Sequence, residues 1–458
     1  MNTRLHSAIE KTVNRRNFLR TAAATAVAGT LATRRGAAGA NPGLAGRWDM
    51  KPRPDLLSET SPKGLEVFQL TTEPDVPASH VYMEAQIFMP DSKRLVLHRA
   101  AHAHGPMRGD PRHQYLRCDL DDGGSLHPLT DETGAIAPSV SPDGKHLYYI
   151  VDETTLGGGK VTLKRVGLDG TGRETITVID SPLPGTAFRP SRIYPLSTIS
   201  SDGRRLATAA FLGDGQADPP PYGLMVFDLQ EGSVELVLHG PTWCNLHPQY
   251  CRSTEPDASR DILVQENHGN VVTPTGQLER LVGPPGADIH VIRDDGTNFR
   301  NMPWGRDGNE HCQGHQCWRG RTTWAITSTS TREPREAQLI EGRATPHADH
   351  VGIATPGGVR NDLTREFPSP HFYHFATDVE GCRLVSDSQP MREGGAVWVA
   401  DLGRPGEDPL SNFVYLLNPR SSCGKEAHIH PFLSPDGTMA FFNSDESGVL
   451  QAYMVRIG

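Results

Sequence analysis

Short apolar runs separated by tight-turn signals recur along most of the chain, and their alternation is that of strands rather than helices. The cleanest copy lies near the C-terminal end. There His428-Ile429-His430-Pro431-Phe432-Leu433-Ser434-Pro435-Asp436-Gly437 leads into the apolar stretch from Met439 to Asn443. Pro435 presets φ for a turn and Gly437 tolerates the positive φ that the turn demands, which predicts a β-hairpin. Decayed copies lie upstream at Gln86 to Leu97, Ser141 to Ile150, Ser201 to Ala207, Arg252 to Val264, Trp318 to Ala325 and Thr377 to Val385. Their turn residues fall at 91, 143, 202, 257, about 320, 380 and 436, a spacing of 52 to 63 residues. Second turns sit between the copies, at Asp121-Asp122-Gly123, Asp169-Gly170-Thr171, Gln230-Glu231-Gly232 and Asp295-Gly296-Thr297. Two hairpins per period make four strands per unit. The chain is therefore expected to be all-β, a seven-bladed β-propeller of four-stranded blades spanning residues 41–458. A β-sandwich with a second domain is the alternative, but the period runs through the entire chain. The run Gly64 to Thr71 predicts an outer strand that closes the ring against the C-terminus.

Composition agrees with this pattern. The 458 residues include 47 Gly and 37 Pro, and 22% are charged, which suits a turn-dense protein. A formal charge of −9 with no basic stripe excludes a nucleic-acid-binding surface. The N-terminus reads differently. Asn14-Arg15-Arg16-Asn17-Phe18-Leu19-Arg20 resembles a twin-arginine export signal, a small weakly apolar segment follows from Thr21 to Thr33, and Ala38-Gly39-Ala40 offers a cleavage site. The apolar segment is too short and too Ala-rich to span a membrane. Residues 1–40 are thus expected to be a signal peptide that delivers the protein to the periplasm or the exterior, with no membrane association after its removal. Of the seven cysteines, Cys244 and Cys251, and Cys312 and Cys317, are close enough in sequence to be bridged. No CxxC pair exists to build a cysteine zinc site.

Histidine recurs with the hairpins. Six residues before the turn, counting from 321, 380 and 436, the last three repeats have His315, His374 and His430, and the fourth, whose turn is looped, has His247 in the equivalent strand, whereas the first three have Ala85, Ala137 and Leu196. In a propeller these positions lie where the innermost strands reach one mouth of the central channel. A buried hydrogen bond within a blade accounts for any one such histidine. It does not account for their confinement to one arc, nor for His428 two residues before His430, on the same side of a strand. A His-x-His strand with a third histidine from a neighbouring blade is a workable imidazole set for Mn²⁺, Zn²⁺ or a similar ion.

Three runs, Gly314-His315-Gln316-Cys317-Trp318, Asn245-Leu246-His247-Pro248-Gln249-Tyr250 and His428-Ile429-His430-Pro431 before its turn, resemble the oligogalacturonate lyase family. The resemblance covers most of residues 60–458 and is strongest from His247 onward. It implies a seven-bladed propeller that cleaves short pectic oligosaccharides by β-elimination with a bound divalent metal, typically manganese. It also implies that His315, His428 and His430 are metal ligands. The family's fourth ligand is a glutamine three residues before the His-x-His pair, where this chain has Lys425. A protonated lysine cannot ligate, so Glu426 or water is expected to fill the position. Asn267-His268-Gly269 resembles the segment that holds a catalytic histidine, which makes His268 the first expected base and His247 the second. The implied partner is an acidic oligosaccharide, with channel-mouth arginines expected to bind its further carboxylates.

Two other readings remain open on sequence. Ser-Pro-Asp-Gly repeats also resemble the TolB type of propeller, a non-catalytic binding module, and a metal-dependent sugar hydrolase could use the same histidines. No Gly-x-Ser-x-Gly elbow, P-loop or HExxH motif points to another enzyme class.

Overall fold

The computed structural model describes residues 50–457 apart from 285, 305–310, 331–337, 345–358, 367–371 and 389–393. The expected signal peptide lies outside the described residues. The rest is a seven-bladed β-propeller, and each blade follows one period of the sequence. Blades 1 to 3 are four-stranded antiparallel meanders whose inner strands are Ala78–His80, Ala135–Val140 and Arg192–Ile199. Blade 4 begins at Gln249–Tyr250, blade 5 at His311–Trp318 and blade 6 at Phe375–Thr377. Blade 7 runs outward from Phe432–Leu433 through Met439–Ser444 and Gln451–Arg456. Its fourth strand is Glu66–Gln69, in register Glu66↔Arg456 to Gln69↔Tyr453, so the N-terminal strand closes the ring as the sequence predicts.

The turn residues explain why the hairpins form. In blade 7, the Ser434 hydroxyl donates to Asp436 Oδ1 at 2.6 Å and accepts from Met439 N at 3.0 Å, while Gly437 N donates to Ser434 O at 2.9 Å. Ser141 with Asp143, and Ser200 with Asp202, repeat the arrangement. Neighbouring turns then pack in a ring around one end of the channel. A Cβ on Gly144 would meet Pro90 at 2.8 Å, and one on Gly437 would meet Asp378 at 3.3 Å. Backbone bonds stitch this ring from Arg321 N to Val379 O and from Val379 N to Pro435 O.

Several features depart from the simple repeat. Blade 1 inserts a ribbon of Ala101–His102 and Gly105–Pro106, and blade 4 one of Val271–Val272 and Leu278–Arg280. One bridge, Ala287↔Cys312, joins blades 4 and 5 into a continuous sheet path. Neither candidate cysteine pair forms a disulfide. Among the described residues no helix is long and apolar enough to cross a membrane.

Candidate metal and catalytic site

At the opposite end of the channel the inner strands kink as they begin. His247 and His430 both adopt φ of 44°, and Ala137 adopts 56° at the same point of blade 2. Such values are uncommon for residues with a side chain. In blade 5 the kink falls on Gly314, φ 80°, inside a bulge between Cys312 and Gln316 that sets the direction of His315. The expected His428–His430 strand is corrected by these dihedrals. His428 follows a short 3₁₀ turn, Lys425–Ala427, and regular pairing starts only at Phe432. The kink still leaves the two rings 5.3 Å apart.

The structure brings a ligand set together. One donor atom from each of His104, His428 and His430 lies within 4.8 Å of the others. Imidazoles around a divalent ion, each at roughly 2.0–2.2 Å, need separations of about 4.4 Å or less, so a small closure completes the set. His104 Nε2 is 3.2 Å from His428 Nδ1. His430 donates Nδ1–H to Ala103 O at 3.1 Å, and its Nε2 is buried with no hydrogen-bond partner. That is the tautomer and outer bond of a metal-ligating histidine, with the lone pair of Nε2 left for a cation. The residues therefore fit a divalent metal. His104 was not anticipated from the repeat count, because the blade 1 ribbon carries it to the mouth from outside the inner strands.

The other expected residues take varied places. His315 packs tilted against His374 at 4.7 Å and edge-on to Tyr373 at 4.9 Å. His374 in turn lies 4.3 Å from His430 and 5.2 Å from His428, and its Nδ1 is 2.9 Å from the fully buried Asp387 carboxylate. His315 thus adjoins the cluster through His374 and is not among its three converging donors. Glu426 is exposed, and its backbone carbonyl, not its carboxylate, reaches the cluster by accepting from Ala103 N at 3.0 Å. Lys425 is exposed as well. His247 is buried with Nδ1 2.9 Å from Glu84 Oε2, and Tyr82 bridges its ring at 5.6 Å to that of His430 at 4.5 Å.

His268 belongs to a second constellation, on the middle strands of blade 4. Glu266 and Asp288 are direct cross-strand partners, and His290 lies two residues along. His268 Nε2 is 2.6 Å from Asp288 Oδ2, and His290 Nε2 is 3.2 Å from Glu266 Oε2. Asp288 is fully buried, so it holds the His268 ring with Nε2–H donating, which leaves the lone pair on Nδ1, for which no hydrogen bond is found among the described residues. No hydrogen bond or ring contact joins His268 to His428 or His430. Beside His247, a cleft of about 110 Å³ is lined by Arg108, Arg192, Tyr194, Tyr222 and Trp243. Arg108 is paired with Asp152, and Arg192 lies 5.2 Å over the Phe211 ring.

Burial holds the mouth imidazoles neutral. It lowers His428 to about 4, with the charge of Lys425 adding to the effect, and His104 to about 3, with His428 adding to it. His374 and His430 are pushed well below the ordinary value of 6.5 by the same burial and by neighbouring imidazoles. Unfolding exposes these rings to ordinary titration, so between pH 6.5 and about 4 the unfolded chain binds more protons than the folded one. Stability of the metal-free protein therefore falls as the pH drops through that window. Urea unfolding at successive pH values checks the slope, and His428→Asn should flatten it.

Comparison with known proteins adds to the fold. No family model matches the chain, and no curated protein matches it in sequence. Among solved structures, an oligogalacturonate lyase in complex with manganese matches at 18% identity over 90% of this chain and 98% of that chain, with a TM-score of 0.66. An oligogalacturonate lyase from Vibrio parahaemolyticus matches at 16% identity over 90% and 97%, with a TM-score of 0.64. TolB from Acinetobacter baumannii also matches, at 12% identity over 75% and 76% with a TM-score of 0.39. The likeness is one of fold. At these identities it extends the seven-bladed architecture to the whole described chain and leaves the chemistry to the residues themselves.

Proposed function

We propose that the protein is a metal-dependent lyase that cleaves oligogalacturonate or a related uronic-acid oligosaccharide by β-elimination. The observation that carries this reading is the convergence of His104, His428 and His430, with His430 Nε2 buried and unpaired at the channel mouth. These three residues would hold the ion, and manganese is the first choice because a structural neighbour was solved as a manganese complex. The chemistry that a divalent ion supplies when bound is Lewis-acid stabilisation of charge on the uronate carboxylate, worth several kcal/mol.

The chain's own residues do the rest. His268, aligned by Asp288, accepts at Nδ1 the proton from the carbon beside the carboxylate. The electrons of that C–H bond form the new double bond as the adjacent C–O bond to the next sugar breaks. The departing oxygen keeps its bonding pair and gains a proton. Arg192 offers a cation, and Tyr222 and Trp243 offer flat faces, for further sugars of an acidic chain. His247, fixed by Glu84, positions Tyr82 against His430. The twin-arginine-like segment expected at residues 14–20 fits action on uronides outside the cytoplasm.

Two measurements test this assignment. Mass spectrometry of products from oligogalacturonate with added Mn²⁺ should give fragments whose masses sum to that of the substrate; a sum larger by one water identifies a hydrolase instead. His268→Ala should lower kcat about 10²–10⁴-fold with Mn²⁺ affinity unchanged. Asp288→Asn should lower kcat with a displaced pH profile. If His268→Ala keeps full activity while His247→Ala loses it, the base is His247.

A further inference from the structure

The channel has a second mouth, inside the ring of hairpin turns, and it is not a passive hole. A cavity of about 330 Å³ opens there, a size at the small end of the range for organic-ligand sites. Its wall is more apolar than polar: Met83, Ile87, Phe88, Phe432 and Leu433 face it, with Gln86, Ser141, Ser201 and Thr377 at intervals. One charged side chain in this lining is already neutralised, since Arg321 pairs with Glu380 at 3.1 Å. The other is not. Arg252 lines the cavity half-buried, and among the described residues its guanidinium makes no hydrogen bond or ion pair.

That isolation contrasts with Arg319, a buried arginine of blade 5, which is fully engaged with Glu341 and two backbone carbonyls. The nearest carboxylate in electrostatic reach of Arg252 is Asp378. Asp378 turns Oδ1 to the backbone N–H groups of Cys382 and Arg383, each at 2.8 Å, as the turn of blade 6 requires, and makes no direct ion pair with Arg252. A cation removed from bulk water without a counter-charge is costly, and a guanidinium takes up a carboxylate through a two-pronged hydrogen bond. Burial also disfavours the charged form of Arg252, so an anion that enters gains by restoring the charge balance.

We propose that this second mouth is a binding site for a small organic carboxylate, whose charge is taken by Arg252 and whose apolar body lies against Met83, Ile87, Phe88, Phe432 and Leu433. The site is separate from the histidine mouth, although the two share a segment. Met83 and Ala85 line the cavity, whereas the intervening Tyr82 and Glu84 touch His430 and His247. The inference does not depend on the reaction assigned to the histidines.

Benzoate titrated into the metal-free protein by calorimetry tests the site, with benzyl alcohol as the neutral analogue and inorganic phosphate as a charge without an apolar body. Benzoate should bind at one site, and both comparison ligands at least 10-fold more weakly. Arg252→Gln should weaken benzoate at least 10-fold. Thr254→Glu, at an exposed rim position two residues away, should weaken it similarly by supplying a competing carboxylate without disturbing the core. His430→Ala should leave it unchanged. Benzoate binding that survives both Arg252→Gln and Thr254→Glu overturns the assignment, as does the absence of binding. Equal affinity for phosphate overturns the apolar half of it.

Discussion

His430→Ala is expected to abolish stoichiometric Mn²⁺ binding and, with it, metal-dependent elimination. His430 is the most fully prepared of the three converging imidazoles. Ala103 O accepts its Nδ1–H, its Nε2 has no other partner among the described residues, and burial pushes the ring well below the ordinary imidazole range. Loss of an outer partner of a ligand costs roughly 10–100-fold in metal affinity, and loss of the ligand itself should exceed that. Calorimetric titration of the metal-free variant with Mn²⁺ checks this directly, with thermal unfolding in EDTA as a control for the fold. His104→Ala should show the same loss. That second result is the more telling one, because nothing in the family resemblance assigns His104 a role.

Arg319→Ala is expected to destabilise the propeller by about 3–5 kcal/mol, the range for leaving a buried ionic partner uncompensated. Arg319 and Glu341 are 2% and 0% exposed and 2.6 Å apart; Arg319 follows the first strand of blade 5, His311–Trp318, and Glu341 lies on the third, Gln338–Arg343. The guanidinium also donates to Gly381 O at 3.1 Å and to Gly403 O, both in blade 6. Glu341 accepts from Gly406 N at 2.7 Å and from Asn361 Nδ2 at 3.0 Å. One pair of side chains from blade 5 therefore satisfies three backbone groups of blade 6 at once. Truncating the arginine leaves a carboxylate and two carbonyls buried without their donor. Glu341→Gln, which keeps an acceptor oxygen for Gly406 N, should cost less than Arg319→Ala. Urea unfolding of the two variants gives the order, and equal midpoints for Arg319→Ala and the parent would contradict the account.

The architecture was legible because turn chemistry is local. Ser434, Asp436 and Gly437 specify a hairpin without help from elsewhere, and equal spacing of such turns leaves little choice of fold. The closing strand was legible for the same reason, since Val67 and Phe68 have no partner until Gln451–Arg456 arrives. The site was only partly so. Counting back from the turns located His315, His374 and His430 because the inner strands are in phase, and it placed His247 on the equivalent strand of blade 4. It missed His104, although His102-Ala103-His104 is itself a second His-x-His, since an inserted ribbon has no fixed phase with the blade period. The alternation that put His428 and His430 on one strand face failed where a positive φ at His430 replaces the pleat. Glu426 lies next to Lys425 in sequence, but the 3₁₀ turn directs that pair to solvent. The carboxylates that orient the imidazoles, Glu84, Asp288 and Asp387, come from other strands or other blades and carry no sequence mark of their pairing.

The most direct test of the central claim is the ultraviolet absorbance of the unsaturated uronate during incubation with oligogalacturonate. The metal-stripped protein should give no rise, addition of Mn²⁺ should start one, EDTA should stop it, and His430→Ala should show none at any metal concentration. A rise that persists in EDTA, or that His430→Ala retains, would contradict a lyase site built on the histidine mouth. A protein that binds Mn²⁺ through these histidines and yields no unsaturated product would contradict the β-elimination.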